Sequence, residues 1–199
     1  MIINVLFFLA TIRFSDFMVE NFALYYPWSS LFRPHQIVTH MFMHDGDMHI
    51  FGNMLALFFF GPMIEERMGS KRFLIYYVTT GLGAMLLHVG VTYVEMLPYL
   101  GSTDPNVMYY LENNHVLGAS GAVFGVLMAA ALLFPERRIV LLFPPIPMKI
   151  QHLVMVYGAY EVWQLIQNNP NDSVAHFAHV GGMLFGYLII RFWRKRTLF

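Results

Sequence analysis

Ser120 lies in Gly118-Ala119-Ser120-Gly121 and His179 in Ala178-His179-Val180-Gly181-Gly182, two apolar stretches far apart in the chain. A serine hydroxyl with an imidazole to take its proton is a minimal set for acyl transfer. The serine attacks a carbonyl, and the neutral histidine accepts its proton and later returns it to the leaving amine. Each residue also has a plainer reading. Ser120 at the start of an apolar helix could serve as its N-cap, with Gly121 and Gly125 forming a small-residue packing face. The soluble nucleophile elbow is not matched, because Ala122 stands where G-x-S-x-G needs glycine. His179 shares its stretch with Gly182 and Gly186, which allow close packing, and an ionisable residue inside an apolar span is a functional candidate by default. His176, one turn earlier, reads as nearer the interface, and the two histidines together also fit a zinc-binding His-x-x-His pair.

A third stretch carries polar groups as well. His49 and Asn53 are four residues apart and so lie on one helical face, with His40 and His44 upstream. The His-Glu-x-x-His motif of metalloproteases is missing and no carboxylate shares the face of His49, so hydrogen-bond donation fits better than ligation. No metal and no other cofactor is expected.

Bulk composition describes the elements that must hold these groups. Of 199 residues, 57% are hydrophobic and 12% charged, and the mean hydropathy is +0.53, well above an ordinary soluble domain. Lys plus Arg and Asp plus Glu each number 12, so no basic excess points to nucleic acid. Cysteine is absent, which removes disulfides, thiolate metal sites and a cysteine nucleophile. Apolar stretches recur at Ile2–Phe14, Ile50–Ile64, Phe73–Val94, Ala119–Phe134, Ile150–Ile166 and Val174–Trp193. These predict an all-α membrane protein of six transmembrane helices in one domain, residues 1–199. The first run, Ile2 to Ile12, lacks a basic segment before it and a small-residue cleavage site after it, and so reads as part of a first membrane helix rather than a signal peptide.

If the six stretches alternate in direction, Arg67, Lys71, Arg72, Arg137, Arg138, Lys149, Arg191, Arg194, Lys195 and Arg196 fall on one side, and only Arg13 and Arg33 fall opposite. The positive-inside rule makes that side cytoplasmic, together with both termini. The outer side then holds a long first loop, about Ser15 to Met48, rich in aromatic residues and too long for a mere connector.

Counting at about 1.5 Å per residue from the cytoplasmic end of each span puts Ser120 at about 22 Å, His179 at about 18 Å, His49 at about 24 Å and Asn53 at about 18 Å. Four polar residues at one depth must face a water-filled cavity, because lipid does not tolerate them. Within it the helix N-terminus at Ser120 aims backbone N–H groups at a developing oxyanion, with His49 and Asn53 as added donors. No Asp is placed to complete a triad, so a dyad is expected. Phe124, one turn below Ser120, offers a surface for the imidazole.

These motifs resemble the rhomboid family of intramembrane serine proteases. GASGAVFG at 118–125 is similar to its Gly-x-Ser-Gly segment, and AHVGGMLFG at 178–186 to its Ala-His-x-x-Gly-x-x-x-Gly segment. HMFMHDGDMHIFGNM at 40–54 is similar to its His-rich approach to the second helix. GPMIEERMGS at 61–70 resembles the turn after that helix, where Glu65, Arg67 and Gly69 match positions that brace the fold. The resemblance implies a six-helix rhomboid-like bundle with a membrane-associated first loop and a Ser120–His179 dyad. It implies an oxyanion site including His49 and Asn53, and cleavage of transmembrane protein substrates near their outer ends. Lateral substrate access past the fifth helix is also implied, with Tyr160 and Trp163 as gate residues. Where some members carry a Trp-Arg pair in the first loop, this chain has His35-Gln36, which bears on loop anchoring and not on catalysis.

The expected partners are therefore transmembrane protein substrates and the lipid bilayer, with no nucleic acid and no metal, in a bacterial cytoplasmic membrane. Two other functions predict different behaviour: a catalytically inactive relative that binds membrane proteins for trafficking, which typically lacks the serine or the histidine, and a transporter with a polar site. Broken-helix pairs in repeated halves, a frequent transporter feature, are not evident.

Overall fold

A computed structural model describes residues 1–141, 145–167 and 174–195. Each of the six apolar stretches is a helix. They are α1 (Ile2–Arg13), α4 (Asp47–Met68), α5 (Ser70–Met96), α7 (Ser120–Leu133), α8 (Ile150–Gln167) and α9 (His176–Lys195). By length and composition two of them, α4 and α5 with its continuation to Tyr99, suffice to cross a membrane. Helix α7 has 14 residues and is about 21 Å long, shorter than a hydrocarbon core of about 30 Å. Gly69 alone joins α4 to α5. Its φ of 82° is open to glycine at no steric cost, and its N–H donates to the Glu65 carbonyl at 2.7 Å. Glu65 is half-buried and Arg67 exposed. Neither side chain makes a hydrogen bond or ion pair among the described residues.

Close approach of α5, α7 and α9 forms the centre of the bundle. A Cβ on Gly182 of α9 would stand 1.9 Å from the Gly121 carbonyl oxygen of α7, and one on Gly186 would stand 2.5 Å from the Tyr76 hydroxyl. Cβ atoms on Gly121 and Gly125 would meet Ala84 and Thr80 of α5 at 2.5 and 2.6 Å. Small residues matter here because helices in lipid associate by packing rather than by escape from water. The crossing is also hydrogen-bonded, since the Tyr76 hydroxyl donates to the Gly125 carbonyl at 2.7 Å.

The stretch expected as a long first loop is built of short elements: α2 (Ser15–Phe22), β1 (Leu24–Tyr25), α3 (Gln36–Thr39) and a 3-10 turn at His40–Phe42. Gln36 is 0% exposed and ties them together. Its Oε1 accepts from the backbone N–H of Tyr25 at 3.4 Å and of Arg33 at 3.0 Å. Its Nε2 donates to the carbonyls of Glu20 and Leu31, both at 3.1 Å. The position that the family resemblance left in doubt is thus an anchor.

The segment between α5 and α7 contains α6 (Pro105–Asn113) and β2 (His115–Val116) and is joined to the first loop. Leu24 pairs with Val116 and Tyr25 with His115. Trp28 Nε1 donates to the Leu111 carbonyl at 2.9 Å, and Ser29 Oγ to that of Glu112 at 2.7 Å. At the opposite end of the bundle the basic turn between α7 and α8 is a hairpin of β3 (Arg138–Val140) and β4 (Pro147–Lys149). A Lys149–Glu136 ion pair at 2.6 Å supports it. Arg196 of the expected cytoplasmic charge set lies outside the described residues.

Candidate active site

A cavity of about 1630 Å³ opens between α4 and α8, and Ser120, His179, His49, Asn53 and Phe124 all line it. Helices α4, α7 and α9 thus deliver to one space the groups whose shared depth the sequence implies.

Ser120 is the first residue of α7, and the N-cap position belongs to Ala119. The serine hydroxyl makes no hydrogen bond among the described residues, so the capping role that competes with a chemical one is not in use. The chain enters the helix through Gly118, whose φ of 134° disfavours any residue with a Cβ. Its N–H donates to the His40 carbonyl at 2.9 Å. A Cβ there would sit 2.9 Å from His49 Nε2 and 3.5 Å from Ser120 Oγ. Gly118 therefore leaves room for imidazole and hydroxyl on one side of the helix start. The first intrahelical bond at this end is Val123 N–H to the Ala119 carbonyl, so the amides of Ser120, Gly121 and Ala122 have no backbone acceptor among the described residues. An α-helix start leaves such donors free by construction.

His179 is 9% exposed. Its ring stacks on Phe124 with centroids 4.2 Å apart and planes within 13°. The Gly121–Gly182 contact lies next to Ser120 in α7 and one turn from His179 in α9. No hydrogen bond joins Ser120 to His179 among the described residues; in unliganded sites such bonds often tighten only when substrate arrives. Asn53 Nδ2 donates to the His49 carbonyl of its own helix at 2.9 Å, which leaves its second N–H for another acceptor. His49 Nδ1 accepts weakly from the Asp45 backbone at 3.4 Å.

His44 packs edge-on to His49, with ring centroids 5.1 Å apart. It is buried and neither of its nitrogens is bonded. Burial above all, and then the neighbouring His49, pushes its pKa down to about 4, so it is neutral at physiological pH.

His176, expected nearer the loop than His179, is the first residue of α9. It is buried, and its Nδ1 lies 2.5 Å from Oε2 of Glu161 on α8. The same carboxylate oxygen is 2.9 Å from His179 Nδ1. Sequence reasoning passed over Glu161, and with it His88 of α5, which lines the cavity and bonds the Tyr26 hydroxyl at 2.9 Å. The signal was there for both. Each is an ionisable residue in the middle of an apolar span, the same criterion that singled out His179. Tyr160 and Trp163, the expected gate residues, are exposed on the outer face of α8 and do not line the cavity.

Comparison with known proteins adds relatives to this geometry. The chain is 28% identical over 172 residues to RHOMBOID-like protein 12, mitochondrial, of Arabidopsis thaliana, covering 84% of this chain and 48% of that protein. It is 29% identical over 153 residues to Rhomboid protease AarA of Providencia stuartii (75% and 52%). It is 27% identical over 164 residues to Putative rhomboid protease YdcA of Bacillus subtilis (81% and 70%). The chain thus spans about half the length of the first two of these relatives. Because mitochondrial as well as bacterial proteins are among them, the expected bacterial cytoplasmic membrane is not supported, and the coarser placement, an integral membrane protein, stands in its stead. Residues 31–196 match the Rhomboid domain, and with most of the chain inside that match, this protein belongs to the rhomboid family.

Proposed function

We propose that this protein is an intramembrane serine endopeptidase that hydrolyses peptide bonds in or near transmembrane segments of membrane-protein substrates. The observation that carries the reading is the convergence of Ser120, a free hydroxyl at a helix start, with the buried, ring-stacked His179 on one cavity.

In this reading Ser120 Oγ attacks the substrate carbonyl as its proton passes to His179 Nε2. The carbonyl electrons move onto oxygen, which the unpaired amides at the start of α7, His49 and the second N–H of Asn53 stabilise. His179 then gives its proton to the departing amine as the C–N bond breaks, and water enters to release the acyl group from Ser120. The bundle crosses the bilayer six times, with the short α7 reaching the outer side through the recessed loop at Gly118. The placement of all described basic residues but Arg13 and Arg33 on one side, when the spans alternate in direction, supports that count.

Detergent-purified protein incubated with a labelled single-span membrane protein tests the reading. Cleavage by wild type and its loss in both Ser120→Ala and His179→Ala is the expected result. Cleavage that persists in Ser120→Ala overturns it. A wild-type protein that binds such substrates intact points instead to a non-cleaving family member.

A further inference from the structure

Glu161 is 4% exposed in the middle of an apolar helix, where an unpaired carboxylate is too costly to retain. Its Oε2 lies 2.5 Å from His176 Nδ1 and 2.9 Å from His179 Nδ1. We propose that Glu161 is a positioning residue for His179, converting the expected serine–histidine pair into a Ser120–His179–Glu161 relay of contacts; this rests on the protease reading above.

The chemistry of the imidazole makes the contact consequential. A neutral histidine carries one proton on one of two nitrogens, and it can accept the Ser120 proton at Nε2 only if that proton sits on Nδ1. An acceptor fixed beside Nδ1 selects this tautomer and stabilises the imidazolium formed after proton transfer. Among the described residues no other acceptor is paired with His179 Nδ1. As the ring stands His179 Nδ1 has no partner in hydrogen-bonding geometry, and Glu161 Oε2 at 2.9 Å is the acceptor placed beside it; Phe124 stacking fixes the plane of the ring without choosing its proton. The 2.9 Å line from Nδ1 to Oε2 lies off the N–H direction, and the proposed role requires a rotation of the ring within its stack on Phe124 to align it. His176 Nδ1 meets the same oxygen at 2.5 Å and keeps Oε2 at α9.

The same three residues also form a group whose ligand atoms lie within 4.8 Å of one another, which raises the rival of a metal site. Distances decide between the two. Ligands on a tetrahedral zinc with bonds of about 2.0–2.1 Å stand about 3.3 Å apart. Here the carboxylate oxygen is 2.5 and 2.9 Å from the two nitrogens. These atoms are closer than zinc ligands stand, and a metal on His179 Nδ1 would leave the proton on Nε2, where it blocks the proposed base.

Two measurements on the whole protein in nanodiscs test the assignment. The first is the 15N spectrum of His179 in a Ser120→Ala background, which needs no activity. The expected result is a protonated Nδ1 and a bare Nε2, giving way to a mixture or the opposite tautomer when Glu161→Leu is added. An Nε2-protonated ring, or a tautomer unmoved by Glu161→Leu, overturns the proposal. The second is cleavage of a single-span substrate. Glu161→Leu is expected to lower kcat about 10- to 100-fold with KM little changed, as removal of a partner that orients a histidine commonly does. Glu161→Gln, which keeps one acceptor oxygen, should fall between it and wild type. Equal kcat in all three, or a change in KM alone, overturns it, as does a stoichiometric zinc retained by wild type and lost in Glu161→Leu. If wild type neither cleaves substrate nor labels at Ser120 with a fluorophosphonate, the protease reading fails, and the tautomer measurement still decides the role of Glu161.

Discussion

Helices α8 and α9 both line the cavity that holds Ser120, but they are held in place in opposite ways. At its crossing with α7, helix α9 has no free space. Gly182 faces the Gly121 carbonyl, Gly186 faces Gly125 and Tyr76, and the contact is one of backbone and ring against glycine. Helix α8 buries only Ile150, Leu153, Val154 and Glu161, and turns Met155, Tyr160, Trp163 and Ile166 outward. Its inner edge borders the cavity instead of packing against α4. The side of the cavity that carries His179 is thus closely packed, and the side that carries Glu161 is loosely packed. Under the proposed function that asymmetry suits a site that admits a chain from the flank, because a wall that opens cannot also be the wall that fixes the reacting atoms.

The sharpest test of the contrast is to fill the crossing. Gly182→Ala places a methyl at 1.9 Å from a backbone oxygen, a clash that no rotamer relieves. A loss of roughly 3 kcal/mol or more is expected, since overpacking of a rigid core costs about 1–3 kcal/mol even where neighbours can move. Thermal unfolding in detergent should show a large drop or no folded protein, and a variant as stable as wild type would mean that the helices separate easily.

A smaller effect is expected at the stack. Phe124→Ala removes an aromatic contact worth about 0.5–1.5 kcal/mol, so kcat should fall roughly two- to tenfold while the protein stays folded, as cleavage kinetics and circular dichroism would show together. On the yielding side the expected effect is smaller again. Trp163→Ala, at a residue 58% exposed, should change stability by within about 0.5 kcal/mol, and a larger loss would show that α8 packs more firmly than its burial indicates.

Acid distinguishes the loop before α4 from the crossing. His44 is held at about 4 in the folded protein, against about 6.5 when unfolded. The unfolded chain binds the extra proton between these values, so stability is undiminished above about pH 6.5 and falls as pH drops toward 4. Unfolding followed across that window should show declining stability in wild type and a flatter profile in His44→Leu. His40, also buried and also held low by that burial, adds to the decline in both.

Much of this organisation is legible in the residues, and the illegible part has a physical cause. The stretch Ala119–Phe134 became the helix Ser120–Leu133, and Ile50–Ile64 became the longer Asp47–Met68. Long apolar runs dictate helix because lipid leaves the backbone no other partner. The two-residue ladder of Leu24–Tyr25 with His115–Val116 carries no periodicity to detect, and its strands lie far apart in the chain. Glu161 and His88 were visible as ionisable residues in apolar runs, but their partners were not. The contacts to His176 and His179 exist only because α8 docks against α9, and no spacing along the chain encodes that docking. Ser120 was ambiguous for a different reason. A helix-start serine beside glycines looks the same whether or not its hydroxyl caps, and only the position of Ala119 in the cap separates the two.

Gln36 carries a last consequence. One neutral amide closes the first outer loop through two acceptances and two donations, all to backbone atoms. An anchor of this kind has no charge for ions to screen and no proton to lose or gain. The rim over the cavity is therefore tethered in the same way in brine as in dilute buffer, and acid that protonates His44 leaves the tether intact. Since the amide reads only the backbone, the side chains around it are free to diverge, provided that the path of the chain through Glu20, Tyr25, Leu31 and Arg33 is kept.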